Sequence, residues 1–237
     1  MSDTKMTEFS EVLEKMGQMK HETTEDCMKI YAMFAPYYNK YVATLDYSAP
    51  KNAVKVFNDV VVKDGHCDKS SMSIIDFAAG TGLVCEQLRE MGFKGAIDAQ
   101  DGSEAMLEVA KPLYRETFCF LLDENTKIPP ELSSGAYDAS FLCGTFSPDE
   151  VDVGCLKYMV DAVKGGGYVV FTTRLNPSHK PFVDKLEKKC DDLVKEGVWK
   201  LRSRVRVENF EISPIDDEKI PGSDYIPGLV LCYQRTA

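Results

Sequence analysis

The stretch Ile74-Ile75-Asp76-Phe77-Ala78-Ala79-Gly80-Thr81-Gly82-Leu83 decides the fold. Its first half is a short apolar run, expected over 72–78 as a buried strand. Its second half is a loop of small residues, and helical spacing resumes over 83–91. Small residues let a backbone approach a ligand closely, and the start of the next helix offers N–H groups without intrahelical partners. A second apolar run, 95–101, ends at Asp101. An acid about 20 residues beyond such a loop can accept hydrogen bonds from both hydroxyls of a ribose.

Working outward, strand-like runs recur at 117–122, 136–143 and 166–174. Helical spacing occupies 103–114, 150–163 and 179–196, and the connection 123–135 reads as mostly loop. Alternation of this kind predicts a parallel sheet with helices on both faces. Upstream, Phe9, Val12, Leu13 and Met16 give 7–20 one apolar face. A second helical stretch starts near 24 and is interrupted by Pro36, and Pro50 opens a third that buries Ala53, Val54, Phe57, Val60 and Val61. The chain end changes character. From 198 to 207, Leu201, Ser203, Val205 and Val207 alternate with Lys200, Arg202, Arg204 and Arg206, the period of a strand with one wet face. A polar loop with Pro214, Pro221 and Gly222 leads to a last apolar strand, 228–233.

The loop fits few nucleotide-binding patterns. Gly80 and Gly82 satisfy the dinucleotide fingerprint, but Cys85 stands at its third glycine, and no P-loop lysine follows. What remains is the loop that binds S-adenosylmethionine, with Asp76 as the acid closing the first strand. These residues resemble the first motif of class I S-adenosylmethionine-dependent methyltransferases. Ala78 departs from it, standing where a glycine is usual, and is accommodated if its φ is negative. Asp101-Gly102-Ser103-Glu104-Ala105-Met106-Leu107 is similar to the second motif, and Tyr137-Asp138 and Gly165-Gly166-Gly167-Tyr168 match the approaches to strands four and five. Tyr31 to Tyr41 resembles the segment that closes over the cofactor. Leu45–Pro50, Thr172–Pro177 and Glu196–Trp199 are similar to one subgroup of the family.

The resemblance implies a Rossmann-like α/β fold. Its seven-stranded sheet has the order 3-2-1-4-5-7-6 with strand seven antiparallel, helices on both faces and an N-terminal helical cap. Residues 1–65 are expected to form the cap or lid and 66–237 the methyltransferase domain. It further implies S-adenosylmethionine as cofactor, lying across the ends of strands one and four. The implied cofactor contacts are Tyr38, Asp76, Ala78, Gly80, Gly82, Asp101, Gly102, Met106, Leu122, Asp123 and Cys143. Acceptor contacts are expected from Phe146, Arg174 and Asn176, which follow strands four and five. Arg174 suits an anionic group. For several of these the residues alone allow a plainer role: Asp101 as a helix cap, Asp123 as a solvated loop acid, Tyr38 as part of an aromatic cluster, Arg174 in a surface ion pair. His179 reads as an exposed histidine at a helix start. The acceptor is expected to be a small molecule. The motif associated with amino methylation of bases is absent, since Cys143-Gly144-Thr145-Phe146 ends strand four. Two other readings stay open: a nicotinamide-dependent dehydrogenase, and a non-catalytic module that keeps the cofactor pocket and presents a surface to a partner.

Composition narrows the remaining classes. The chain has 237 residues, 44% hydrophobic and 28% charged, enough for a full core without covalent staples. A net charge of -10 argues against a nucleic-acid footprint, and the basic residues at 200–206 suit the protection of an edge strand. No run approaches the ~18 apolar residues of a membrane span, and no signal-peptide core opens the chain, so a cytoplasmic monomer is expected. The eight cysteines form no C-x-x-C pair and the three histidines lie far apart, so buried thiols are expected and no metal site.

Overall fold

Four fully buried residues, Ile74–Phe77, form β1, and burial on both faces is the signature of a central parallel strand. In the computed structural model, which describes residues 24–65, 68–148, 150–213, 219 and 221–237, β1 is flanked by β2 (Ile97–Asp101) and β4 (Tyr137–Phe146), both parallel to it. β3 (Thr117–Cys119) lies outside β2, and β5 (Val163–Arg174) outside β4. β7 (Tyr225–Arg235) runs antiparallel between β5 and β6 (Trp199–Ile212). The order is β3-β2-β1-β4-β5-β7-β6, as expected. The direction of winding reverses between β1 and β4, so their carboxyl ends open a crevice there.

Helices cover both faces. α1 (Thr24–Phe34) and α2 (Tyr38–Thr44) are joined by a 3₁₀ turn at Ala35–Tyr37, where Pro36 interrupts the helix. α3 (Ala49–Lys63) and α4 (Leu83–Glu90) bury Phe57, Val61 and Leu88 in one core with Phe141 of β4. The rings of Phe57 and Phe141 meet edge to face, 5.1 Å between centroids. α5 (Glu104–Ala110) follows β2. α6 (Leu156–Ala162) and α7 (Lys180–Lys195) close the opposite core around Phe171, Trp199 and Tyr233. There Trp199 stacks on Tyr233 at 4.1 Å, and its indole N–H donates to the Cys190 carbonyl.

Several boundaries differ from expectation. Pro112 converts the end of the 103–114 helix into a 3₁₀ turn, Lys111–Leu113. The expected helix 150–163 is a 3₁₀ turn, Val153–Cys155, followed by α6, and β5 starts before its glycines, at Val163. β3 stops at Cys119 rather than at 122. The strand expected over 198–207 runs to Ile212 and contains a register shift between Leu201 and Ser203. Strict alternation is thereby lost: Leu201 and Val205 are 48% and 36% exposed, while Arg202 turns toward α3 and pairs with Asp64. Arg204 and Arg206 are held by Glu187 and Glu208, so acids compensate these three arginines of the basic stripe. Cys85, Cys155, Cys190 and Cys232 are buried free thiols, as expected, whereas Cys119 is exposed. The expected helix 7–20 lies outside the described residues, as do positions 66 and 67 at the expected domain boundary. Among the described residues no helix is long and apolar enough to cross a membrane, and no cluster of metal-ligating side chains occurs.

Candidate functional site

A cavity of about 640 Å³ opens at the carboxyl ends of the strands. Its floor has two halves. One is built by the loop Ala78–Thr81 after β1 and by Gln100, Asp101 and Gly102 at the end of β2. The other is built by Cys143, Gly144 and Thr145 at the end of β4, Arg174 at the end of β5, and Glu211 near the end of β6. α1 and α2 form the roof, contributing Tyr31, Phe34, Tyr38 and Tyr41.

The first half is held by hydrogen bonds to backbone. Asp101 Oδ2 accepts from Gly80 N at 2.8 Å, and Oδ1 accepts from Ser103 N at 2.8 Å. Burial pushes the Asp101 carboxyl up, and the amides of Ser103, Gly80 and Gly102 oppose that shift. Ser103, not Asp101, caps α5, its hydroxyl accepting from Met106 N. Asp98, the other acid of β2, is fully buried within the sheet, gripped by Arg115 and by the Tyr137 hydroxyl at 2.7 Å. Behind the loop, Tyr114 donates to Asp76 Oδ2 at 2.6 Å, while Asp76 Oδ1 is buried with no partner among the described residues. Burial raises the Asp76 carboxyl to about 7, against the Tyr114 hydrogen bond and with help from the Asp101 charge.

The loop glycines have different jobs. Gly82 has φ +95°, and a Cβ there would lie 2.7 Å from Leu113 Cδ1. It is needed for packing and does not line the cavity. Gly80, φ +56°, has nothing within 4 Å of where a Cβ would stand, so its open side is free for a ligand. Ala78 has φ +50°, so the negative φ that would accommodate its methyl group without strain is not what the loop adopts. The loop keeps the left-handed turn that a glycine would make and bears the steric cost of a methyl group in it.

The second half is aromatic and charged. Arg174 Nε donates to Glu211 Oε2 at 2.9 Å and a second nitrogen reaches Oε1 at 3.3 Å. Burial alone would lower the Arg174 pKa, but the Glu211 carboxylate outweighs it and holds the guanidinium charged. Tyr31 donates to Glu150 Oε1, and Ser147 to Oε2 at 3.3 Å. The Thr145 hydroxyl is buried without a partner among the described residues.

No model of a protein family matches the chain. Over 174 residues it is 34% identical to human methyltransferase-like protein 27, a match that covers 73% of this chain and 67% of that protein. The chain belongs to the class I S-adenosylmethionine-dependent methyltransferases, beside methyltransferase-like protein 27. Solved structures agree on the fold. A chain of the complex between the Haloferax volcanii Trm112 methyltransferase activator and the putative methyltransferase superposes with a TM-score of 0.56 at 12% identity, over 87% of this chain and 98% of that one. Magnesium protoporphyrin IX methyltransferase from Synechocystis, with S-adenosylhomocysteine bound, superposes with a TM-score of 0.50 at 11% identity, over 77% and 82%.

Within this methyltransferase the cavity gathers most of the residues singled out from sequence: Tyr38, Ala78, Gly80, Asp101, Gly102, Met106, Leu122, Cys143 and Arg174. Five others lie elsewhere. Phe146 is 2% exposed and packs edge to face on Phe171, because the end of β4 turns that side chain into the core. Asn176 is buried against Ser178 and His179, where its amide donates to Ser178 Oγ. Asp123 is an exposed loop acid whose Oδ1 accepts from Asn125 N. Asp76 and Gly82 sit behind the loop rather than on the cavity wall. Arg174 is on the wall, but bound to Glu211. His179 stands at the start of α7, as expected, but is half-buried on the cavity wall rather than exposed. Tyr47, Glu150 and Glu211 escaped sequence reasoning. Glu211 sits beyond the strand expected over 198–207, and Glu150 at the first position of the helix expected over 150–163.

Proposed function

We propose that the chain moves a methyl group from S-adenosylmethionine to a small-molecule acceptor by in-line displacement, with both ligands in the one cavity. The observation that carries this reading is the coupling of Asp101 to the open face of Gly80: an acid presented to the cavity beside a backbone that leaves room for a ligand. The residues fit the cofactor. Asp101 keeps lone pairs for ribose hydroxyls, Gly102, Met106 and Leu122 offer an apolar slot for a base, and the unpartnered Asp76 Oδ1 behind the loop suits the ammonium end, directly or through water. Bound there, the cofactor supplies a methyl group already activated by its sulfonium.

What remains for the protein is to exclude water and to hold the acceptor in line with the methyl group. Such positioning can supply on the order of 7–11 kcal/mol. Of the expected cap, residues 28–47 cover the cavity, with Tyr31, Phe34, Tyr38 and Tyr41 as their inner surface. The cavity volume is within the range of about 300–1,000 Å³ usual for small-molecule sites, which supports a small acceptor over a polymer.

Calorimetric titration tests the reading against its dehydrogenase rival. Micromolar binding of S-adenosylhomocysteine with no binding of NAD supports it. The reverse overturns it. Release of labelled methyl into a small-molecule extract then separates an enzyme from a non-catalytic module.

A further inference from the structure

We propose that Tyr47 marks the point of methyl transfer: its hydroxyl oxygen faces the methyl-bearing centre of the bound cofactor, and its O–H faces the reacting atom of the acceptor. The inference rests on the methyltransferase reading above and deepens it by assigning a catalytic residue.

The first observation is the seat of the hydroxyl. β4 lies between β1, which carries the cofactor loop, and β5, which carries Arg174. Its register against β5 shifts between Leu142 and Phe146, and Gly144, within that interval, has φ +86°. The Gly144 amide donates to the Thr172 hydroxyl at 3.0 Å, which fixes the irregularity. A Cβ on Gly144 would lie 2.0 Å from the Tyr47 hydroxyl oxygen. The glycine therefore leaves the space that the phenol fills, on the strand end shared by the two halves of the cavity. Irregularities of this kind re-aim groups beside active sites. The second observation is how the ring is held. The segment Leu45–Pro50, given no role from sequence, is tied to β6 on both sides of Tyr47. Ile212 N donates to the Leu45 carbonyl at 2.7 Å, and Ser48 N to the Phe210 carbonyl at 2.9 Å. The Tyr47 ring meets Phe210 edge to face, 6.3 Å between centroids. These anchors flank Glu211, so one stretch of β6 places both the phenol and the ion pair with Arg174.

The third observation is unspent hydrogen-bonding capacity. Tyr47 lines the cavity, and among the described residues its hydroxyl has no hydrogen-bond partner. Burial pushes this phenol well up, and the neighbouring Tyr38, Cys143 and Glu211 push the same way against Arg174. It therefore keeps its proton, and a neutral phenol accepts through its oxygen while it donates through its O–H. Held at the end of β4, it orients the acceptor and removes no proton from it.

Two probes test this by calorimetry: S-adenosylhomocysteine, which lacks the methyl group, and sinefungin, which carries an ammonium group on carbon in place of the methylated sulfur. Tyr47→Phe removes the hydroxyl alone and keeps the ring on Phe210. It should weaken sinefungin at least fivefold more than S-adenosylhomocysteine, because only sinefungin offers the Tyr47 oxygen a charged donor. A purely structural role would weaken both ligands alike, so a smaller difference overturns the proposal. Tyr38→Phe is the comparison, since that hydroxyl also lines the cavity without a partner among the described residues but stands on the roof. It should leave the ratio of the two affinities within twofold, and a larger change there than at Tyr47 overturns the proposal. If neither ligand binds the parent protein, the cofactor reading falls and the assignment of Tyr47 with it. If both bind and Tyr47→Phe treats them alike, the assignment alone falls.

Discussion

Asp101 and Gly80 are joined by a 2.8 Å hydrogen bond from the loop amide to the strand-end carboxylate. The acid therefore has two duties, shaping the glycine loop and facing the cavity. Asp101→Ala should remove both. A hydrogen bond to a charged group contributes about 1.5–3 kcal/mol, so S-adenosylhomocysteine affinity should fall roughly 10- to 150-fold. Calorimetry on the folded variant measures this directly, and affinity within twofold of the parent would refute the assignment.

Asp76 makes stability depend on pH. Its carboxyl is raised to about 7 in the fold, chiefly by burial, from an ordinary value of 3.8. Below about pH 4 the folded and unfolded chains both carry the proton. Between 4 and 7 only the folded chain does, so this group's contribution is lost as pH rises through 7. Asp76→Asn cannot ionise and still accepts from Tyr114. Without cofactor, its stability relative to the parent should improve from pH 5 to pH 8, by about 2.7 kcal/mol at most. Urea melts at the two pH values read the difference. A gap that does not change with pH would mean that Asp76 titrates as an ordinary carboxylate.

Ala78 and Gly82 should respond in opposite directions to exchange. Ala78 bears a side chain at φ +50°, so glycine relieves a strain of about 1–2 kcal/mol and gives back roughly 0.5–1 through the unfolded chain. Ala78→Gly should raise the melting temperature by about 2 °C. Gly82→Ala meets Leu113 at 2.7 Å in a left-handed backbone and should lower stability by about 2 kcal/mol. Thermal melts of the pair decide. A stabilised Gly82→Ala would show that Leu113 and Tyr114 yield easily.

The contrast between these neighbours shows where sequence stops being legible. Strand order and the cofactor half of the cavity follow from patterns local in the chain: an apolar run, small residues, an acid about 20 residues on. The acceptor half is assembled from β4, β5, β6 and two helices that precede the sheet, so no window contains it. Arg174 is visible as a cation at a strand end, but its partner Glu211 is 37 residues away on a strand whose register shifts past Val207. Phe146 and Asn176 lie at the right strand ends, yet core packing and a local hydrogen bond turn them from the cavity. The sign of φ at Ala78 is set by the loop as a whole, which residue type alone cannot fix.

The roof should order on ligand binding. Its inner surface is aromatic, and its polar ties to the floor include two at the cavity edge: Asn39 accepts from Thr81, and Tyr31 donates to Glu150. Both partners lie on loops that border the cavity, one in each half. A ligand filling the space gives Tyr31, Phe34, Tyr38 and Tyr41 a surface to pack on and strengthens both ties by excluding water. Amides in 28–47 should therefore exchange at least 10-fold more slowly with S-adenosylhomocysteine, while those of β4 and β5 change little. Uniform slowing across the sheet would mean that the ligand stabilises the whole fold by mass action alone. Unchanged exchange in 28–47 would make the roof a fixed cap.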